Sequence, residues 1–168
     1  MERLRQIPPE TGRFLSILAA SSSDGKIIEI GTSAGYSTLY LALAAIETGR
    51  KVTTFETLDD KIKIASDTFK LADIENDVEL INGDARDYLN DIADIAFCFL
   101  DAEKEVYQDC YDLVIPNMIT GGIFIADNLI SHSKELKPFE KVVMADKRVD
   151  SVVVPIGKGE LVCRKIKF

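Results

Sequence analysis

Five short apolar runs recur along this chain, each of strand length and each halted by a glycine or a polar residue: "KIIEIG", "KVTTFE", "DVELING", "DIAFCFL" and "GGIFIADN". Between them lie segments of helix length with apolar residues every three or four positions. Strands buried on both faces read as continuous apolar runs, and strands alternating with amphipathic helices build a mostly parallel sheet covered on both sides. The expected fold class is therefore α/β, doubly wound and mostly parallel. "SVVVPI" and "ELVCRKI", joined by "GKG", close the chain as a hairpin that adds an antiparallel strand at or near one edge.

The helical periodicity predicts helices over Thr11–Ala20 with Phe14, Ile17 and Leu18 on one face, and over Ser37–Glu47 with Leu39, Leu43 and Ile46 at helical spacing. It predicts Asp59–Ala72 with Ile62, Ala65, Phe69 and Ala72 inward, and a short helix over Arg86–Asn90. Glu103–Ile115 follows with Val106, Cys110 and Leu113 on one face, then Lys134–Ala145 with Leu136, Phe139 and Val143 inward. No repeat or low-complexity linker interrupts the pattern, and 168 residues suffice for one domain, expected to span 1–168.

Composition narrows the function classes. Apolar residues at 46% and charged residues at 29% are the balance of an ordinary globular protein. No apolar run approaches the roughly 20 residues of a membrane span. "MERLRQIPPE" has charges but no apolar core or small-residue cleavage site, so a cytoplasmic address and no membrane partner are expected. Cys98, Cys110 and Cys163 match neither a disulfide framework nor a zinc pattern and read as reduced packing residues. The net charge of −8 argues against a broad phosphate-binding surface. Lys134, Lys137, Lys141, Lys147 and Arg148 cluster late in the chain, where a solvated helix face accounts for most of them.

In open parallel sheets ligands bind beyond the carboxyl ends of the strands, near the point where strand order reverses. The first such end is "EIGTSAGYS". Gly31 and Gly35 allow a tight turn, and the helix beginning near Ser37 points free N–H groups at an anion. Ser33 stands where a dinucleotide fingerprint has its second glycine, which favours a ligand with a single carboxylate over a pyrophosphate. Glu56 ends the second strand, where an acid accepts ribose hydroxyls, and Asp84 in "NGDA" is placed to bond an adenine amino group. Carboxylate, ribose and adenine together describe S-adenosylmethionine.

The fourth strand stops at Asp101 and the fifth at Asp127 and Asn128. Two carboxylates and an amide oxygen are hard donors, suited to Mg²⁺, Mn²⁺ or Ca²⁺ rather than zinc. Adjacent strand residues point to opposite faces, so the chain must turn at Asn128 for both to bind one ion. Lys104, three residues after Asp101, is a candidate general base beside such an ion; a surface salt bridge is the plainer role for it. His132 reads as an exposed loop residue.

"EIGTSAGYS", "FLDAEKEVY", "GGIFIADN" and "VVVPIGKGELVCRK", in this order, resemble the cation-dependent O-methyltransferases of the caffeoyl-CoA and catechol type, from about Pro8 to Lys165. The resemblance implies a seven-stranded Rossmann-like methyltransferase sheet. It implies metal ligation by Asp101, Asp127 and Asn128, and base or metal-proximal duty for Lys104. It further implies cofactor contacts from Glu29, Gly31, Ser37, Glu56 and Ala85, with Asp101 close to the methionyl end.

Three departures are visible. Only Met1 to Gln6 precede the match, where the family has a longer segment that helps form its dimer and acceptor pocket. "LISHSKELKP" is short beside the family's insertion, and Glu103 stands where an aspartate is common. The first two fall on the acceptor side and count against a family-type homodimer. The expected activity is methyl transfer from S-adenosylmethionine to a hydroxyl of a small catechol-like or hydroxylated aromatic acceptor, dependent on Mg²⁺ or another hard cation. The alternatives are methylation of a hydroxylated RNA base, which the acidic charge disfavours, and a non-catalytic S-adenosylmethionine-binding module.

Overall fold

The computed structural model describes residues 6–167. Helix α1 (Pro9–Ser21) starts on Pro9, whose missing N–H costs nothing at a helix start. Strand β1 (Lys26–Ile30) leads to α2 (Tyr36–Glu47), β2 (Val52–Glu56), α3 (Asp59–Leu71) and β3 (Val78–Asn82). Two 3₁₀ turns, Ala85–Asp87 and Leu89–Asp91, take the place of the expected short helix, and β4 (Ile95–Leu100) follows. Lys104–Val106 forms another 3₁₀ turn before α4 (Tyr107–Asn117), so the helix expected from Glu103 is tighter in its first turn. Strand β5 (Met118–Ala126), α5 (Ser133–Ala145), β6 (Val149–Val154) and β7 (Glu160–Lys165) complete the chain.

The strands form one seven-stranded sheet in the order β3-β2-β1-β4-β5-β7-β6. The first five pair in parallel, and β7 runs antiparallel to both β5 and β6. Connections from β1 leave toward β2 on one side while β4 lies on the other, so the strand order reverses between β1 and β4.

Alternate strand residues feed two cores. Ile27, Phe97, Phe99 and Ile125 pack toward Leu15, Leu41 and Phe69 of α1, α2 and α3. Ile28, Cys98, Leu100, Phe124 and Cys163 pack toward Tyr107, Tyr111, Phe139 and Val143 of α4 and α5. All six residues of β4 are buried, as a strand at the sheet centre requires. The three cysteines are free and buried.

Two helices present only part of the face their spacing suggests: Phe14, Leu18 and Leu39 pack against the core at its margin, and the other expected residues do not. In α1 the buried residues are Thr11, Gly12, Leu15 and Ala19, while Ile17 is 63% exposed. In α2 they include Leu41, Ala42, Ala44 and Ala45, while Leu43 is 61% and Ile46 49% exposed. The reason is close helix packing: a Cβ on Gly12 would overlap the Tyr40 ring, so small residues face inward here. Ala72, expected inward on α3, is likewise exposed. No helix among the described residues is long and apolar enough to cross a membrane.

Candidate active site

Gly31 is where the sheet and the site meet. Its φ is 101°, a left-handed value that favours glycine, and a Cβ there would overlap the Asp101 carbonyl oxygen. The end of β1 can therefore press against the end of β4, bringing the turn that follows β1 beside Asp101. The turn continues through Ser33 and Gly35, both at positive φ, into α2.

Glu56, buried at the end of β2, braces this turn. Its Oε2 accepts the Ser33 backbone N–H at 2.8 Å, and its Oε1 accepts those of Thr57 and Leu58 at 2.9 and 3.1 Å. A carboxylate has about four acceptor positions, so capacity remains for a ligand hydroxyl. Gly31, Ser33, Glu56, Asp84, Ala85, Asp101, Lys104 and Asn128 share one cavity of about 600 Å³. Ser37 faces a smaller recess shared with Gly31, Ser33 and Asp101.

Two residues assigned to the cofactor have other partners. Glu29 lines neither cavity and is fully buried behind the turn. Its carboxyl accepts the hydroxyls of Ser37 at 2.6 Å, Thr38 at 2.5 Å and Thr54 at 2.6 Å. Burial pushes its pKa up to about 7, against the opposing pull of those hydroxyls. It fixes the start of α2 against β2, so its bearing on a ligand runs through Ser37. Asp84 lines the cavity, but its carboxylate is gripped by the Arg86 guanidinium at 2.7 to 3.1 Å and by the Arg86 backbone N–H at 2.9 Å. That hydrogen bonding holds its pKa below the usual range and occupies its acceptor positions.

At the other end of the cavity, parallel pairing of β4 with β5 sets Leu100 beside Ala126, so Asp101 and Asp127 leave the sheet side by side. The required turn is present: Asn128 has a φ of 74°. Its Oδ1 accepts from Lys104 Nζ at 2.5 Å. The same ammonium donates to the Tyr107 hydroxyl at 2.6 Å, to the Ala102 carbonyl at 3.0 Å and to Asp101 Oδ1 at 3.4 Å. Burial lowers the Lys104 pKa, with Asp101 and Asp127 pulling the other way. Asp127 is fully buried; its Oδ1 accepts the Asn128 backbone N–H at 2.5 Å, and its Oδ2 has no donor.

These oxygens fit a hard divalent cation. Asp101 and Asn128 already face one positive centre, the Lys104 ammonium, while Asp127 adjoins them from a fully buried position that does not line the cavity. Among the described residues no three His, Cys, Asp or Glu side chains form a ready-made metal cluster. The groups that adjoin at these strand ends are two aspartates and an amide.

Sequence reading missed two members of the site. Tyr107 is buried, accepts from Lys104 and donates to the Asp127 carbonyl at 3.2 Å. Its helical spacing three residues after Lys104 was the available signal. Glu160 is fully buried near Asp127, and burial followed by the Asp127 charge pushes its pKa up to about 10. Only a charged residue opening an apolar strand hinted at it. His132 is half-buried at the cavity rather than freely exposed, with Nδ1 at 3.0 Å from the Ser131 hydroxyl.

A family model described as O-methyltransferase matches residues 2–166. The chain belongs to the O-methyltransferase family. Among its relatives is the flavonoid 3',5'-methyltransferase of Vitis vinifera, 30% identical over 97% of this chain and 80% of that protein. The catechol O-methyltransferase of Niastella koreensis is 30% identical over 77% of this chain and 61% of the other. An O-methyltransferase from Bacillus cereus, solved with S-adenosylhomocysteine, superposes with a TM-score of 0.83 at 23% identity, covering 97% and 84% of the two chains. At that identity the superposition establishes the shared fold.

Proposed function

We propose that this O-methyltransferase moves the methyl group of S-adenosylmethionine to a hydroxyl of a small catechol-like aromatic, in a reaction that needs a divalent cation. The observation carrying this reading is the convergence of Asp101, Asn128 and Lys104 beside the turn braced by Glu56, within a single cavity. The relatives named above, one acting on flavonoids and one on catechols, support the acceptor class.

In this reading the turn at Gly31 to Ser37 receives the methionyl carboxylate and Glu56 the ribose hydroxyls. Asp101, Asp127 and Asn128 would hold the cation, Mg²⁺, Mn²⁺ or Ca²⁺; when bound it supplies the positive charge that acidifies a neighbouring acceptor hydroxyl. Lys104 takes the proton of that hydroxyl at Nζ, its basicity suited to the task because burial disfavours its ammonium form. Tyr107 orients the Lys104 amine. The acceptor oxygen attacks the methyl carbon in line, the carbon–sulfur bond breaks, and S-adenosylhomocysteine leaves. Positioning and fixed charge account for the acceleration. Because Lys104 now engages the same oxygens as the proposed cation, its release from Asn128 and ligation of the ion are linked events.

Transfer of labelled methyl to catechol tests this, with and without Mg²⁺. Turnover is expected with the cation, to disappear with chelator, and to be abolished by Asp101→Ala or Asp127→Ala while S-adenosylhomocysteine still binds. Undiminished turnover in chelator, or in both variants, contradicts the proposal.

A further inference from the structure

Antiparallel pairing of β5 with β7 sets Ala126 beside Leu161, and continuing that register by one residue brings Asp127 opposite Glu160. The backbone keeps them there: the turn after Asn128 donates from Leu129, Ile130 and Ser131 to the carbonyls of Gly159 and Lys158 at 2.9 to 3.1 Å. Both acids have zero exposed surface. The two carboxyls face one another, and no other group donates to either Glu160 oxygen or to Asp127 Oδ2.

Like charges directly opposite one another across a sheet are unfavourable, and a buried carboxylate lacking donors is costly. Neither nearby ammonium group hydrogen-bonds Asp127 or Glu160, although the Lys158 charge acts on both. Lys104 bonds Asn128 and Tyr107, and the Lys158 ammonium lies 3.4 Å from the Gln6 carbonyl. Packing supplies no reason for an acid either, because the residues that follow on the same strand, Leu161 and Cys163, are buried and apolar. Three acidic oxygens at one strand end, with no donor other than one another, are matched by a doubly positive ion.

We propose that Glu160 is a fourth protein group of the cation site, a carboxylate set behind Asp127 that strengthens retention of a divalent ion. This rests on the cation-dependent reading of Asp101, Asp127 and Asn128 and extends it to a residue on a different strand. Glu160 acts through Asp127 as a positioning and charge-supplying residue; the reacting groups need not touch it.

Calorimetric titration of Mn²⁺ and Ca²⁺ into the wild-type chain and into Glu160→Gln, Glu160→Asp and Asp127→Asn tests the assignment, with S-adenosylhomocysteine affinity measured on each to report an intact fold. Glu160→Gln is expected to weaken cation binding about 10–100-fold, as loss of a supporting group behind a ligand does. Glu160→Asp, which keeps the charge, retains more of the affinity, and neither variant changes the affinity for S-adenosylhomocysteine. Wild-type cation affinity in Glu160→Gln, together with its loss in Asp127→Asn, overturns the role of Glu160 and leaves the proposed function standing. A wild-type chain that binds S-adenosylhomocysteine but no cation overturns both.

Discussion

Lys104 shows how much one side chain depends on its neighbours. Taken alone, an i,i+3 pair with Asp101 would be an ordinary surface ion pair contributing little. Here the lysine side chain is 13% exposed and meets four oxygens from three separate stretches of chain. Lys104→Met removes the proton acceptor but retains the bulk of the stem. It is expected to lower kcat about 10²–10⁴-fold, with S-adenosylhomocysteine affinity unchanged, as steady-state kinetics and calorimetry would report. Near-normal kcat would return Lys104 to the role of a structural ion pair. Asp101, Lys104, Asp127 and Asn128 were legible because polar residues stop two fully apolar runs. Tyr107 and Glu160 were not, because their contacts depend on the start of α4 and on the register of β7. Glu29 was expected only as a cofactor contact, through the family resemblance, and its anchoring of three hydroxyls, two from α2 and one from β2, depends on how those elements pack.

Among the elements, α1 and α2 mark where periodicity is insufficient. Both carry apolar residues on more than one face, so spacing admits two inward stripes, one bulkier than the other. Packing sets the smaller deepest, since Gly12 lies against the Tyr40 ring and Ala44 and Ala45 are buried, and leaves Phe14, Leu18 and Leu39 at the margin of the core. Leu43→Ser and Ile46→Ser should each change stability by no more than about 0.5 kcal/mol. Gly12→Ala should cost about 1–3 kcal/mol through overpacking. Urea unfolding midpoints would check both; the reverse ranking would restore the face read from sequence. By contrast α5 buries the Leu136, Phe139 and Val143 stripe that its spacing indicates, because its remaining positions are mostly polar and leave a single choice.

For the whole molecule, the strand order explains why the Gly31 turn and the ends of β4 and β5 share one cavity. Reversal between β1 and β4 opens a crevice whose one wall is the Gly31 turn with Glu56 and whose other is the row of carboxyl ends from β4 and β5. Alternating strands and helices made the parallel sheet legible, while the order of its strands, and hence which ends adjoin, required the connections to be seen in space. β7 then closes the row from the opposite direction, carrying Glu160 to a position that no parallel strand could supply. In the proposed function, side chains from the ends of β4 and β5 share one divalent ion beside the cofactor. A crystal structure grown with Mg²⁺ and S-adenosylhomocysteine tests it most directly. The expected result is an ion ligated by Asp101, Asp127 and Asn128, with Lys104 displaced from Asn128 and the homocysteine sulfur adjoining Asp101. S-adenosylhomocysteine bound in the crevice with Lys104 still on Asn128 and no ion between the two aspartates would contradict it.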